Sequence, residues 1–364
     1  MKARLAYLDN LKVLLTALVI LLHASAAYGG PTNFTVKQPA DSALATGVLA
    51  AIAVLCQPFI LGCYFFIAGY LTPPAQARHG AQFLRHRLVH LGLPLLAYDL
   101  IGERLQLALV ALAEHGWPAA VTTFCTTPFE LGSGPLWFVE RLLVFTLLWA
   151  LVGRQLMPWL HRLRPTLPLI LGGIAGVGLV SFLIRVVCPF YVSWHLLTLD
   201  CPCLPLQYPL YFLLGVTAYE NEWLARLDFA QALTWLLSAG LSLGLFFAIY
   251  LAGGGLTDLL LFASGWHWQS LVAAVWEQGF GLALTVGLLG LFRRYADIPW
   301  PDWLSRSTFT VYVIHAPVLV AVWLWLEQWP WPSLAGFALT SGLTLVLSWT
   351  LSASLTHIFT EARR

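Results

Sequence analysis

Charge is what this chain has least of. Only 10% of its 364 residues are Asp, Glu, Lys or Arg, and the 19 basic and 17 acidic residues leave a net charge of +2. A soluble domain needs a far more polar surface, and a charge so near balance gives no electrostatic reason to bind nucleic acid. No Gly-rich phosphate loop, basic aromatic groove or set of residues with metal-ligand spacing is present, so neither nucleotide-fold chemistry nor a metal site is expected. No internal repeat and no matched pair of Gly/Pro-broken helices marks two halves of a carrier.

What is present is apolar sequence. Hydrophobic residues make up 59% of the chain, in runs of about 17–25, the length that crosses a bilayer as helix. The 17 Trp and 12 Tyr suit the two membrane interfaces. The fold class expected is therefore all-α: a polytopic integral membrane helix bundle forming one domain over residues 1–364. About ten transmembrane helices are expected, near 9–28, 43–71, 88–113, 135–153, 167–187, 205–220, 230–252, 270–292, 308–327 and 334–358. Pro58, inside the long second span, predicts a kink there.

Basic residues orient the bundle. Lys2 and Arg4, Arg78, Arg85 and Arg87, Arg154, Arg162 and Arg164, Arg226, Arg293, Arg294 and Arg306, and Arg363 and Arg364 all fall on one side of the ten-span arrangement. The opposite loops hold only Lys37, with Arg185 near the outer end of span five. Cytoplasmic loops carry the excess of Lys and Arg, so both termini are expected to be cytoplasmic. Cys125, Cys188, Cys201 and Cys203 then fall in outer loops, where an oxidising exterior permits disulfides in any of three pairings. Cys201 and Cys203 are too close for an easy bridge to each other, which favours a link to Cys188 or Cys125. Cys56 and Cys63, within span two, read as packing residues.

Ionisable residues inside lipid are costly, and are read as functional by default. The first span carries Lys12 and His23. The eleven-residue step between them is close to three helical turns, so the two side chains differ by only ~20° around the axis and by roughly 16 Å along it. Asp9, Thr16 and Val19 share that stripe. The same stretch also fits a secretory leader, with Lys2 and Arg4, the apolar run 11–22 and Ala24-Ser25-Ala26 as a cleavage-like site. N-terminal sequencing of the mature protein separates the two readings, because cleavage removes Lys12 and His23.

His23, Glu103, Arg104, Glu140, Arg141 and Glu277 share the outer-half level, where they could line an outward-opening cavity or pair helices, Arg104 with Glu140 for example. Lys12, Arg85, Arg87, Arg293 and Arg294 lie toward the cytoplasm, where topology and phospholipid headgroups account for most of them and Lys12 alone could snorkel. His315, in span nine, is expected to be a packing residue satisfied by Tyr312.

Six stretches together carry a family resemblance. They are Tyr7-LDNLKVLLTALVILLH-Ala24, Phe65-Phe-Ile-Ala-Gly69, the basic Phe83-LRHRLVHLGL-Pro94, Gly134-Pro-Leu-Trp-Phe138, Phe212-Leu-Leu-Gly215 and Thr308–His315. In order and spacing they resemble the integral-membrane acyltransferase 3 family, over nearly the whole chain. Lys12 and His23 stand at the family's cation-x10-His signature. Ala68 replaces a usual Ser, and Pro135 stands where many members have His.

The resemblance implies an enzyme that moves an acyl group, of acetyl or succinyl type, from cytoplasmic acyl-CoA to a hydroxyl of an extracytoplasmic polysaccharide or glycolipid. Acyl-CoA would be a co-substrate rather than a bound cofactor, and the protein would lie in the cell (inner) membrane. His23 would be the general base, neutral near physiological pH, with Glu140 orienting it or binding the acceptor. Lys12, Arg85 and Arg87 would hold the CoA phosphates, and Trp137, Arg141 and Glu277 would bind the acceptor. The absence of an obvious Ser or Cys nucleophile beside His23 leans toward direct transfer, although Ser25 is near. With no soluble esterase-like domain in the sequence, the membrane unit is expected to act alone or with a partner. A multi-pass transporter or flippase using the same polar residues is the alternative, and a structural role for those residues a third.

Overall fold

The computed structural model describes residues 5–131, 134–187 and 206–361. It is all-helical, with no strand among the described residues. In chain order the helices are α1 (Ala6–Ala27), α2 (Ala43–Cys56), α3 (Ile60–His79), α4 (Phe83–Arg87), α5 (Leu93–Ala97), α6 (Glu103–His115), α7 (Trp117–Thr126), α8 (Trp137–Leu160) and α9 (Leu167–Val187). There follow α10 (Gln207–Glu220), α11 (Trp223–Arg226), α12 (Phe229–Ala252), α13 (Leu260–Ala263), α14 (Trp268–Tyr295), α15 (Asp302–Ser305), α16 (Thr308–Leu326) and α17 (Ser333–Glu361).

Eight helical stretches among the described residues are long and apolar enough to cross a membrane. The sequence reading of ten differs at two places. One stretch, Ala43–His115, runs 73 residues. At 1.5 Å per residue that is roughly 110 Å against a ~30 Å hydrocarbon core, so it is more than one crossing. It breaks at residues 57–59, where Pro58 lies. The other place is α10, apolar but only 14 residues long. Lys2, Arg4, Arg363, Arg364, Cys188, Cys201 and Cys203 lie outside the described residues, and Cys125 is an exposed free thiol.

The chain forms two compact units: residues 1–57, 87–143 and 297–364, and residues 58–86 and 144–296. In the first, α1 packs on α2, α16 and α17. Leu8, Leu11, Leu15 and Ile20 are buried along it, so excising this helix would empty the core of its unit. At its C-terminal end Ala24, Ala27 and Tyr28 join Leu49, Leu319, Val320 and Trp323, and nearer its start Val13 and Ile20 meet Val311 and Trp349.

The segment between α1 and α2 is pinned at several points. It leaves α1 through Gly29 at φ +104°, where a Cβ would come within 2.5 Å of the Ala40 amide nitrogen. Gln38 donates its main-chain N–H to the Ala27 carbonyl at 2.9 Å. Asp41 accepts the Ser333 amide at 2.7 Å, tying the segment to the first turn of α17, while the Asp41 amide donates to the Ser333 hydroxyl at 3.0 Å. Ser42 then caps α2 by accepting the Ala45 amide at 3.2 Å. Ser42→Ala should cost about 0.5–2 kcal/mol of stability, read by thermal melting.

The Ser333 amide holds the Asp41 carboxyl below the ordinary aspartate range. A carboxyl lowered in the folded state contributes stability above its unfolded value, about pH 4, and loses it as pH falls through the folded value. Melting of the wild type should therefore fall away below about pH 4 more steeply than that of Asp41→Asn. Parallel pH profiles for the two would show that the clasp adds nothing.

In the second unit the central pair is α3 with α10, and α14 packs on α12 and α9. Phe65 sits between Tyr208 and Phe145 at ring separations of 5.0 and 5.2 Å. Gly69 and Gly215 let the backbones of α3 and α10 meet. A Cβ on Gly69 would lie 2.0 Å from the Phe212 carbonyl oxygen, and one on Gly215 2.0 Å from that of Phe66. Leu237, Leu241 and Leu245, one face of α12, are 59%, 77% and 64% exposed, a surface suited to lipid rather than water.

Candidate active site

Three of the stretches singled out in the sequence come together in the first unit. α1 brings His23, α16 brings Tyr312 and His315, and the turn into α8 brings Pro135 to Phe138. The imidazoles of His23 and His315 are neighbours, with ring centroids 5.4 Å apart and ring planes tilted by 31°. Phe34, from the segment after α1, covers His23 at 5.1 Å.

His315 is held rigidly. Its Nδ1 lies 2.6 Å from the Tyr312 carbonyl oxygen. A carbonyl can only accept, so Nδ1 carries the hydrogen, and in the neutral ring Nε2 is left with the lone pair. The Tyr312 hydroxyl in turn donates to the Pro135 carbonyl at 2.7 Å, and its ring meets Phe138 edge-on at 5.7 Å. The sequence reading expected Tyr312 to satisfy His315 as a packing residue. Tyr312 does partner it, but through the main chain, and the other imidazole nitrogen stays uncommitted. His315 Nε2 and His23 Nδ1 are both buried without a hydrogen-bond partner. Unpartnered buried polar atoms cost free energy, and paired ones at a single site mark a place built for a ligand or for chemistry.

A polar chain runs beside this pair. Thr35 donates to the Gln106 side-chain oxygen at 3.2 Å, and the Gln106 amide donates to the Tyr98 hydroxyl at 2.7 Å. Tyr98 and Gln106 are brought together by a π-helical turn at Tyr98–Gly102, a distortion frequent at functional sites. Gly134, at φ +50°, leaves room for the Tyr98 hydroxyl, which a Cβ there would approach to 2.8 Å.

The other expected site residues divide between the units. Lys12 lies on α1 as expected, and its ammonium pairs with Asp9 at 2.6 Å while remaining partly open to solvent. Glu140 and Arg141 are buried in the first turn of α8. Arg141 stacks over Trp137 at 4.4 Å, a contact that fixes both side chains. Arg87 belongs to the first unit and is half-buried, whereas the exposed Arg85 belongs to the second. Glu277 is also in the second unit, where its carboxylate forms an ion pair with Arg185 of α9. That bond joins α9 to α14, the helix-pairing role that the sequence reading had illustrated with Arg104 and Glu140. No group of three or more His, Cys, Asp or Glu among the described residues could hold a metal ion.

His315, Tyr312, Gln106 and Phe34 were not selected as site residues from the sequence. An ionisable residue inside a span was the available signal for His315. Phe34 and Gln106 gave none, because their roles arise from contacts across the fold.

Comparison with known families gives one match. A family described as "Acyltransferase domain" matches residues 5–353. No curated protein and no solved structure matches the chain.

Proposed function

We propose, from the premise that the chain belongs to the acyltransferase 3 family and is a multi-pass membrane acyltransferase, that it transfers an acyl group from acyl-CoA to a glycan hydroxyl with His23 as general base. The observation that carries this reading is the neighbouring His23–His315 pair, each ring with an uncommitted buried nitrogen. The acceptor is an extracytoplasmic polysaccharide or glycolipid, and the host membrane is the cell (inner) membrane.

In this mechanism His23 removes the proton from the acceptor hydroxyl as its oxygen attacks the thioester carbonyl. The tetrahedral intermediate collapses to the new ester, and the leaving CoA thiolate takes the proton back from the imidazolium. His315, fixed by Tyr312, is a positioning residue that sets the orientation of the His23 ring. Phe34 restricts water at the reacting centre, which limits hydrolysis of the thioester. Glu140, with Trp137 and Arg141, binds the acceptor, the stacked indole offering a flat apolar face to a sugar ring. Lys12 and Arg87 hold the donor's phosphates at the basic end of the unit.

The test is a vesicle assay with labelled acyl-CoA on one face and the glycan acceptor on the other. Label on the acceptor with wild type but not with His23→Ala supports the enzyme. Acceptor that crosses without gaining label overturns it in favour of a carrier. For Lys12, donor binding should weaken in Lys12→Ala and largely survive in Lys12→Arg, with Asp9→Asn as the control for the ion pair. Equal donor affinity in both Lys12 variants would take that residue out of the site.

A further inference from the structure

The first unit contains a row of buried hydroxyls that the mechanism above does not use. On α17, Ser341, Thr344 and Ser348 are 6%, 0% and 0% exposed, and none of their side-chain oxygens has a hydrogen-bond partner. Spacings of three and four residues put them on one helical face, spanning roughly 10 Å of helix. Ser and Thr in apolar helices ordinarily return their hydroxyl to a carbonyl of the preceding turn. On the exposed side of the same helix they do so: Thr350 donates to Val346 at 2.9 Å and Ser354 to Thr350 at 3.0 Å. The buried row forgoes that bond, although an unsatisfied hydroxyl is most costly where no water reaches it.

The row stands at the height of the two histidines. α17 packs on α1 and α16. Its upper part is fixed to the end of α1 by the Tyr28–Thr340 hydroxyl contact at 2.8 Å, and its lower part to the start of α16 by Ser352 donating to the Ser307 carbonyl at 3.3 Å. Counting eight residues from each side of the lower contact brings His315 and Thr344 to one level, about 12 Å above it. Counting down from the upper contact brings Thr344, four residues below Thr340, to the level of His23, five below Tyr28. His23, His315 and Thr344 thus stand at one level of the unit, with Ser341 a turn above and Ser348 a turn below.

We propose that Ser341, Thr344 and Ser348 form the track that holds the amide-bearing pantetheine arm of the acyl-CoA donor alongside His23 and His315. This inference rests on the acyl-CoA reading given above. The arm is slender and carries two amides, so it offers donors and acceptors at intervals along its length. A hydroxyl supplies both and turns to suit either. Small side chains leave room for the arm, and hydroxyls without internal bonds are available to it at no cost of breaking one.

The test uses the purified full-length protein in nanodiscs, and its triple variant Ser341→Ala/Thr344→Val/Ser348→Ala. Three probes are titrated: acetyl-CoA, S-acetylpantetheine (the arm without the nucleotide) and adenosine 3′,5′-bisphosphate (the nucleotide end without the arm). The triple variant should bind acetyl-CoA and S-acetylpantetheine at least about tenfold more weakly, the loss expected from one or more hydrogen bonds, and bind the bisphosphate unchanged. Unchanged S-acetylpantetheine affinity, as a water-filled or simply packed row would give, overturns the track. So does an equal loss for all three probes, which would report general damage. Should the triple variant fail to fold, Thr344→Ser and Thr344→Val decide. Weaker binding in the valine variant alone supports the track, and equal binding in both overturns it. Wild-type protein that binds no acetyl-CoA at all would instead remove the acyl-CoA reading, and the track with it.

Discussion

His23→Ala should reduce acyl transfer by about 10²–10⁴-fold, the range a positioned general base contributes, while donor affinity stays near wild type. In the proposed mechanism the loss belongs on kcat, because the imidazole acts as the bond to the thioester carbonyl forms, after both substrates are in place. His315→Gln should fall between wild type and His23→Ala. Glutamine can still donate to the Tyr312 carbonyl, but it presents no imidazole face to His23. Rates, KM and the pH profile of transfer are the measurements. A His23→Ala enzyme that works at the wild-type rate would leave the histidine pair without a catalytic role.

Gly69→Ala and Gly215→Ala should each prevent normal folding or lower the melting temperature severely. At both positions the added methyl would meet a main-chain carbonyl oxygen at 2.0 Å. A flexible side chain could swing aside, but here only a separation of α3 from α10 relieves the clash. Overpacking commonly costs about 1–3 kcal/mol where neighbours can adjust, and rigid backbone on the other side puts these two at or above that range. Gly47 is the control, since a Cβ there has nothing within 4 Å and alanine is the better helix former. The readouts are the yield of monodisperse protein and its thermal melt. Ordinary melting of Gly69→Ala would mean that the two helices do not cross so closely.

What could be read from the sequence was whatever repeats with the helical period or depends on bulk polarity. The all-helical build, the break at Pro58 and the placing of Lys12 and His23 on one helix follow from local rules and recur in the structure. α10 shows where length and polarity disagree: its residues are apolar enough to be taken for a span, yet its 14 helical residues fall short of the roughly 20 that a straight crossing needs. Pairing was less legible. Arg185 and Glu277 were both placed near the outer ends of their spans, but depth alone does not say which helices are neighbours. The meeting of His23 with His315 is a contact between opposite ends of the chain, and no local pattern encodes it. The same holds for Gly69 and Gly215, whose stretches were recognised separately while their mutual contact supplies the physical reason for both glycines.

The bond from His315 to its own helix has one more consequence. With one nitrogen permanently occupied as a donor to the Tyr312 carbonyl, the ring cannot flip to pass a proton from one side to the other. Any proton it accepts must arrive and depart through the same atom. His315 can thus serve as a fixed terminus of a relay and never as its swivelling middle.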